Sequence, residues 1–213
     1  MFILGLTGSI GMGKSSAAAM LRRLRLPLHD ADAAVHRLLG PGGAAVTEVA
    51  RAFPGVERNG AIDRKTLGEK VFDDPEALGR LEAILHPLVR ARTLAFLARH
   101  AHRGCRLVVL DIPLLYESGG ERLCDAVLLV SAPAFLQAQR VLARTDMTPA
   151  RFAAIRAKQM PDREKRRRAE FLILTGLDKG RTFRELWRAV SAVQKRRGRV
   201  WSPRARRRLQ KRK

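Results

Sequence analysis

Short apolar runs alternate along the chain with stretches in which apolar residues recur every three or four positions. Residues 2–7, 26–29, 106–111 (RLVVLD), 126–131 (AVLLVS) and 171–174 are apolar runs of strand length and predict buried strands. The helical period predicts helices over 14–25, 31–39, 44–53, 63–71 and 76–85, then over 135–144, 149–158, 162–169 and 182–195. In the first, Ala17, Ala18, Leu21 and Leu24 share one side; in the fifth, Leu78, Leu81 and Leu85 do. Pro-Gly-Gly at 41–43 and Pro54-Gly55 are breakers. Pro87 disfavours helical geometry at His86, so a stop or kink is expected there, with a new helix starting at Pro87.

Strands alternating with helices predict an α/β fold with a parallel sheet covered by helices on both faces. The span from about 55 to 103 contains no strand-like run and is too long for a simple crossover, so it reads as a helical insertion. No internal repeat is present. A chain of 213 residues allows one domain of ordinary size with a small inserted part. Its 46% hydrophobic content excludes a wholly disordered chain.

No apolar stretch approaches the roughly 18 residues of a membrane span. The N-terminus, MFILGLTG, lacks a basic leader region and runs straight into glycines, unlike a signal peptide. Cys105 and Cys124 are too few for a disulfide scaffold or a Cys-rich zinc site and fit a reducing compartment. A cytoplasmic protein is the expectation.

The charge changes the picture. Lys and Arg number 42 against 20 Asp and Glu, a net +22. From Lys195 to Lys213 there are eleven basic residues and no acid, so half the excess sits in this C-terminal stretch. Residues 196–213 are expected to form a disordered basic tail. Two readings of it stand: an electrostatic arm for RNA, DNA or acidic lipid, or a solvated tail with only non-specific polyanion affinity. The body still carries about +11, which suits a polyanionic substrate such as a nucleotide.

Gly8-Ser9-Ile10-Gly11-Met12-Gly13-Lys14-Ser15 fits the phosphate-binding pattern G-x-x-x-x-G-K-[ST], between a predicted strand and a predicted helix. Glycines let backbone N–H groups turn toward phosphate oxygens, and the helix N-terminus adds its positive dipole end. Lys14 would reach the β- and γ-phosphates of ATP, and the Ser15 hydroxyl would ligate Mg²⁺. Gly8, Gly11, Met12, Gly13, Lys14, Ser15 and Ser16 are therefore the candidate nucleotide loop.

Asp30 and Asp32 follow the second strand. One can accept the proton of an attacking hydroxyl, or cap the next helix. Asp111 closes the strand RLVVLD, either as a carboxylate near Mg²⁺ or as an ordinary polar strand end. Arg140 and Arg144, four residues apart on one helix, could clamp phosphates from a lid over about 140–168. The run Arg163 to Arg168 reads mostly as a solvated helix face. His36, His100 and His102 show no metal-ligand spacing.

From about residue 2 to 193 the sequence resembles the dephospho-CoA kinase family. The motifs that carry this are LTGSIGMGKS (6–15), DAD (30–32), AIDRKTLGEKVFDDPEALGRLEAILHPLV (61–89), DIPLLYE (111–117), QRVLAR (139–144) and AKQMPDREKRRRAEFLI (157–173). The resemblance implies a P-loop kinase fold with a five-stranded parallel sheet, a helical CoA-binding insertion and an arginine-bearing lid. The core would comprise about 1–54 and 104–195.

It also implies transfer of the ATP γ-phosphoryl group to the ribose 3′-hydroxyl of dephospho-CoA. On the same basis Asp32 is the proposed base, with Asp30 beside it at the acceptor site. His86, Pro113, Leu114 and Leu115 become acceptor-site candidates, and Arg140 the first lid arginine. Leu174 stands where family members often carry an Asp after the last strand. Two alternatives remain: another P-loop small-molecule kinase, or a nucleic-acid-stimulated P-loop ATPase using the tail.

Overall fold

A computed structural model of the chain describes residues 1–72, 74–145, 147–176 and 178–201. Two compact units divide the described residues: one holds residues 1–29 and 100–201, the other Asp30–Arg99.

The first unit is built on a five-stranded parallel sheet in the order β2-β5-β1-β6-β7. Its strands are β1 (Phe2–Thr7), β2 (Leu28–Asp30), β5 (Leu107–Asp111), β6 (Ala126–Ser131) and β7 (Phe171–Leu174). The central strand β1 pairs with β5 from Phe2 against Leu107 and with β6 from Leu4 against Ala126. All residues of β1, β5 and β6 are buried, which explains why these strands read as unbroken apolar runs rather than alternating ones. Helices α1 (Lys14–Arg23) and α9 (Lys179–Gln194) supply Ala17, Ala18, Leu21, Leu186, Val190 and Val193 to the core over Leu4, Leu6, Leu128 and Val130. Helices α6 (Ala134–Leu142), α7 (Pro149–Ala157) and α8 (Asp162–Arg168) lie between β6 and β7 in the chain, across the expected lid.

The second unit has its own core, formed by Leu38, Val49, Phe53, Ile62, Leu67, Leu81 and Leu85 among others. Helices α2 (Ala31–Leu39) and α3 (Val46–Ala52) contribute to that core, and the unit begins at Asp30. Helix α4 (Arg64–Val71) follows, its N-terminus capped by the Asp63 side chain. The stretch expected to lack strands contains a two-residue hairpin, β3 (Glu57–Arg58) with β4 (Ala61–Ile62). Its turn is Asn59-Gly60, both at positive φ, the pairing that such tight turns favour.

Helix α5 runs unbroken from Pro75 to His102 with Pro87 inside it, against the expected stop at His86. Leu81 and Leu85 before the proline and Thr93 and Leu97 after it are all buried. Ala83, whose carbonyl loses its N–H partner to the proline, is exposed, as are His86 and Pro87. Water can serve the freed carbonyl while burial of the opposite face holds the helix together.

The start of the basic tail is held, although disorder was expected from residue 196. The N–H groups of Arg199 and Val200 donate to Asp125 Oδ1, Arg196 pairs with Glu170, and its guanidinium lies 5.3 Å from the Phe2 ring centre. The rest of the tail lies outside the described residues. Among the described residues no helix is long and apolar enough to cross a membrane.

Candidate active site

The loop between β1 and α1 is closed in by its neighbours. A Cβ on Gly8 would lie 2.4 Å from Val130 Cγ2, and one on Gly11 2.5 Å from Val141 Cγ2. Gly11 and Gly13 also hold φ of 75° and 88°, which side-chain-bearing residues rarely adopt. Gly13 caps α1 without a side-chain hydrogen bond, and the first turn carries no acid. The N–H groups and positive dipole end of α1 are thus offered to an anion.

Three successive carbonyls of the loop are tied away from that N-terminus. Gln137 Nε2 donates to Ile10 O at 2.8 Å, Arg140 Nη1 to Gly11 O at 3.4 Å, and Thr175 Oγ1 to Met12 O at 2.7 Å. In a trans peptide the C=O of one residue and the N–H of the next point in opposite directions. Tying these carbonyls therefore sets the orientation of the N–H groups of residues 11 to 13. Met12 is buried, and its sulfur accepts the N–H of Ala132.

Lys14 Nζ sits 2.8 Å from Asp111 Oδ1. Asp111 is almost wholly buried at the end of β5, while the lysine retains some exposure. Asp111 thus makes an ion pair with the loop lysine, a contact that neither reading of it names. Ser15 and Ser16, in the first turn of α1, are exposed. The Ser15 hydroxyl is the kind of donor that Mg²⁺ takes together with waters and phosphate oxygens, and no carboxylate cage is present among the described residues. Together these groups fit a magnesium-bound triphosphate.

Arg140 reaches the loop; Arg144 does not. The Arg140 guanidinium also donates to Thr175 O at 2.7 Å and to Thr175 Oγ1 at 3.3 Å. Arg144 lies past the end of α6, with its side chain exposed. Leu174 closes β7, where its N–H donates to Glu185 Oε2 and its carbonyl accepts from Thr182 Oγ1.

The acceptor-side candidates divide. Asp30 caps α2, accepting the N–H of Ala33 at 2.9 Å, whereas Asp32 is exposed in the first turn. His86 is exposed on α5. Pro113 O accepts the Thr7 hydroxyl at 2.9 Å. Leu114 is 43% exposed, but Leu115 is wholly buried against Tyr116 and Val127, so it serves the core and not an open surface.

Several polar residues with no periodic signal also converge here. The N–H of Ile10 donates to Gln159 Oε1 at 3.1 Å. Glu117 Oε1 accepts the N–H of Met160 at 2.9 Å and pairs with Lys165 Nζ at 2.8 Å. Lys165 departs from the solvated face expected of its run: it is wholly buried. Burial pushes the Glu117 carboxyl up, but the Lys165 ammonium and the N–H bonds outweigh this and hold it below the usual range. Asp162 accepts the Ser131 hydroxyl at 2.9 Å and Arg166 Nε at 2.6 Å, fastening the start of α8 to the end of β6.

A glycine loop between the central strand of a parallel sheet and a helix, with a lysine at the helix start, defines a P-loop nucleotide-binding protein. Shikimate kinase from Acinetobacter baumannii shares this fold at a TM-score of 0.50 and 16% identity, over 92% of this chain and 96% of its own. The comparisons narrow the class. The CoaE family, described as dephospho-CoA kinase, matches residues 2–177. The chain is 67% identical over 166 residues to the dephospho-CoA kinase of Paramagnetospirillum magneticum, covering 78% of each. It is 60% identical over 176 residues to that of Rhodospirillum rubrum, covering 82% of this chain and 83% of the other.

Among solved structures, a protein from Thermus thermophilus matches with a TM-score of 0.80 at 38% identity, over 90% of this chain and 96% of its own. Dephospho-CoA kinase from Campylobacter jejuni matches with a TM-score of 0.63 at 25% identity, over the same shares. The chain belongs to the dephospho-CoA kinase family and is an ATP-dependent kinase.

Proposed function

We propose that the chain transfers the γ-phosphoryl group of ATP to the ribose 3′-hydroxyl of dephospho-CoA, giving CoA and ADP. The observation that carries this is the family match over residues 2–177 on a chain whose glycine loop is built for a triphosphate. In this reading the N–H groups of residues 11 and 13–16 and the Lys14 ammonium bind the β- and γ-phosphates, while the Met12 N–H stays on Ser9 O at 3.1 Å. Arg140 holds the loop by the Gly11 carbonyl and adds positive charge beside it. Ser15 would hold Mg²⁺, which offsets phosphate charge when bound. Asp32 orients the acceptor hydroxyl and takes its proton, with Asp30 fixing the helix start that carries it. His86, Pro113 and Leu114 contact the acceptor. Phosphoryl transfer of this kind depends mainly on positioning and electrostatic stabilisation.

Asp32→Asn tests the assignment of the base. A positioned general base contributes about 10² to 10⁴ in rate. The variant should lose that much turnover while its ATP affinity, measured by calorimetry, stays near wild type. Near-normal turnover would remove Asp32 from the role. Lys14→Ala should abolish transfer; normal transfer would sink the reading of the glycine loop.

A further inference from the structure

Ile10 is gripped from both sides. Its carbonyl accepts from Gln137 Nε2 at 2.8 Å, and its N–H donates to Gln159 Oε1 at 3.1 Å. The two glutamines come from different elements: Gln137 from α6, and Gln159 from the turn between α7 and α8. Gln137 is itself buried, 4% exposed, so its amide is committed to this contact. The turn that carries Gln159 is fastened independently. Met160 N–H and the buried Lys165 ammonium both meet Glu117, and Met160 packs on Leu115, Tyr116 and Val127.

We propose that Gln137 and Gln159 are positioning residues for ATP binding, fixing the two peptide planes that flank Ile10 so that the phosphate loop is set before nucleotide arrives. This rests on the reading of residues 8–16 as the ATP loop. Gln137 holds the Ile10 carbonyl against α6, and the N–H of Gly11, on the same peptide, is thereby turned the opposite way. Gln159 satisfies the preceding N–H, so that peptide has no reason to flip. Glu117 acts one step further back, by holding the turn on which Gln159 sits. A loop without these restraints would lose conformational freedom on binding phosphate, and affinity would fall by that ordering cost.

The test uses the full chain with Gln159→Met and Gln137→Met, which keep length and remove the hydrogen bond. Mg-ATP and dephospho-CoA affinities are measured by calorimetry, kcat and KM by steady-state assay, and Ile10 amide exchange by NMR. A hydrogen bond is worth a net 0.5–1.5 kcal/mol, so each variant should weaken Mg-ATP binding by about 2- to 12-fold. The loss should fall on KM for ATP more than on kcat, with dephospho-CoA affinity unmoved. Ile10 amide exchange should accelerate in Gln159→Met. The double variant should lose less than the product of the singles, because both act on one segment.

Unchanged ATP affinity in both single variants, or losses that fall equally on the two substrates, would overturn the proposal. If the wild-type chain binds no Mg-ATP, it is the reading of the loop that fails. If the wild type binds ATP and makes CoA while the variants bind as tightly, only the glutamine assignment fails. A variant too unstable for calorimetry is replaced by Gln159→Asn, whose shorter amide cannot span the same contact and should show the same selective loss; retained ATP affinity there overturns the proposal.

Discussion

Replacing Glu117 by Ala leaves the Lys165 ammonium buried without its counter-charge. Lys165 is 0% exposed, and among the described residues no acceptor besides Glu117 reaches its Nζ. Breaking a buried pair from one side costs about 3–5 kcal/mol, far more than an exposed pair is worth. At about 2–4 °C per kcal/mol for a chain of this size, the melting temperature should fall by roughly 6–20 °C. The double variant Glu117→Ala with Lys165→Met removes both charges and should recover most of that loss. Urea unfolding and thermal melts at pH 7 measure all three proteins. A Glu117→Ala loss below about 1 kcal/mol, the range of an exposed pair, would refute the reasoning. A double variant as unstable as the single one would place the loss in packing and not in the stranded ammonium.

Three further outcomes follow from the same structure. Gly13→Ala should weaken ATP binding about tenfold or more, because its Cβ would sit 2.9 Å from Thr175 Oγ1 at a φ that costs ~1–2 kcal/mol; calorimetry checks it. Arg140→Ala removes charged donors from Gly11 and Thr175 and should raise KM for ATP by about 10- to 100-fold, read from steady-state kinetics. The carboxyl of Glu117 is held below its ordinary value of 4.5, so its contribution to stability is full above that pH. That contribution is lost as pH falls through the lower folded value, and Glu117→Gln should flatten this part of a stability-against-pH curve.

Much of the architecture was legible because burial leaves periodic traces. Strands β1, β5 and β6 are buried on both faces and therefore read as continuous apolar runs. The phosphate loop was legible because its glycines answer to steric demands that no other residue meets. The hairpin at 57–62 carried a readable Asn-Gly signal, but its strands are too short to show alternation. The passage of α5 through Pro87 was not legible, because local backbone preference at His86 is overridden by burial of Leu81, Leu85, Thr93 and Leu97. Lys165 was hidden inside a basic run; only a tertiary partner distant in sequence, Glu117, distinguishes it from its exposed neighbours. The same holds for Gln137 and Gln159, whose backbone targets lie more than 120 residues away.

The central claim is tested most directly by incubating the full chain with Mg-ATP and dephospho-CoA and following both products by mass. The account predicts CoA and ADP in equal amounts, with no ADP above background when dephospho-CoA is left out, and neither product from Lys14→Ala. ADP formed without CoA, or stimulated by RNA in place of dephospho-CoA, would contradict it.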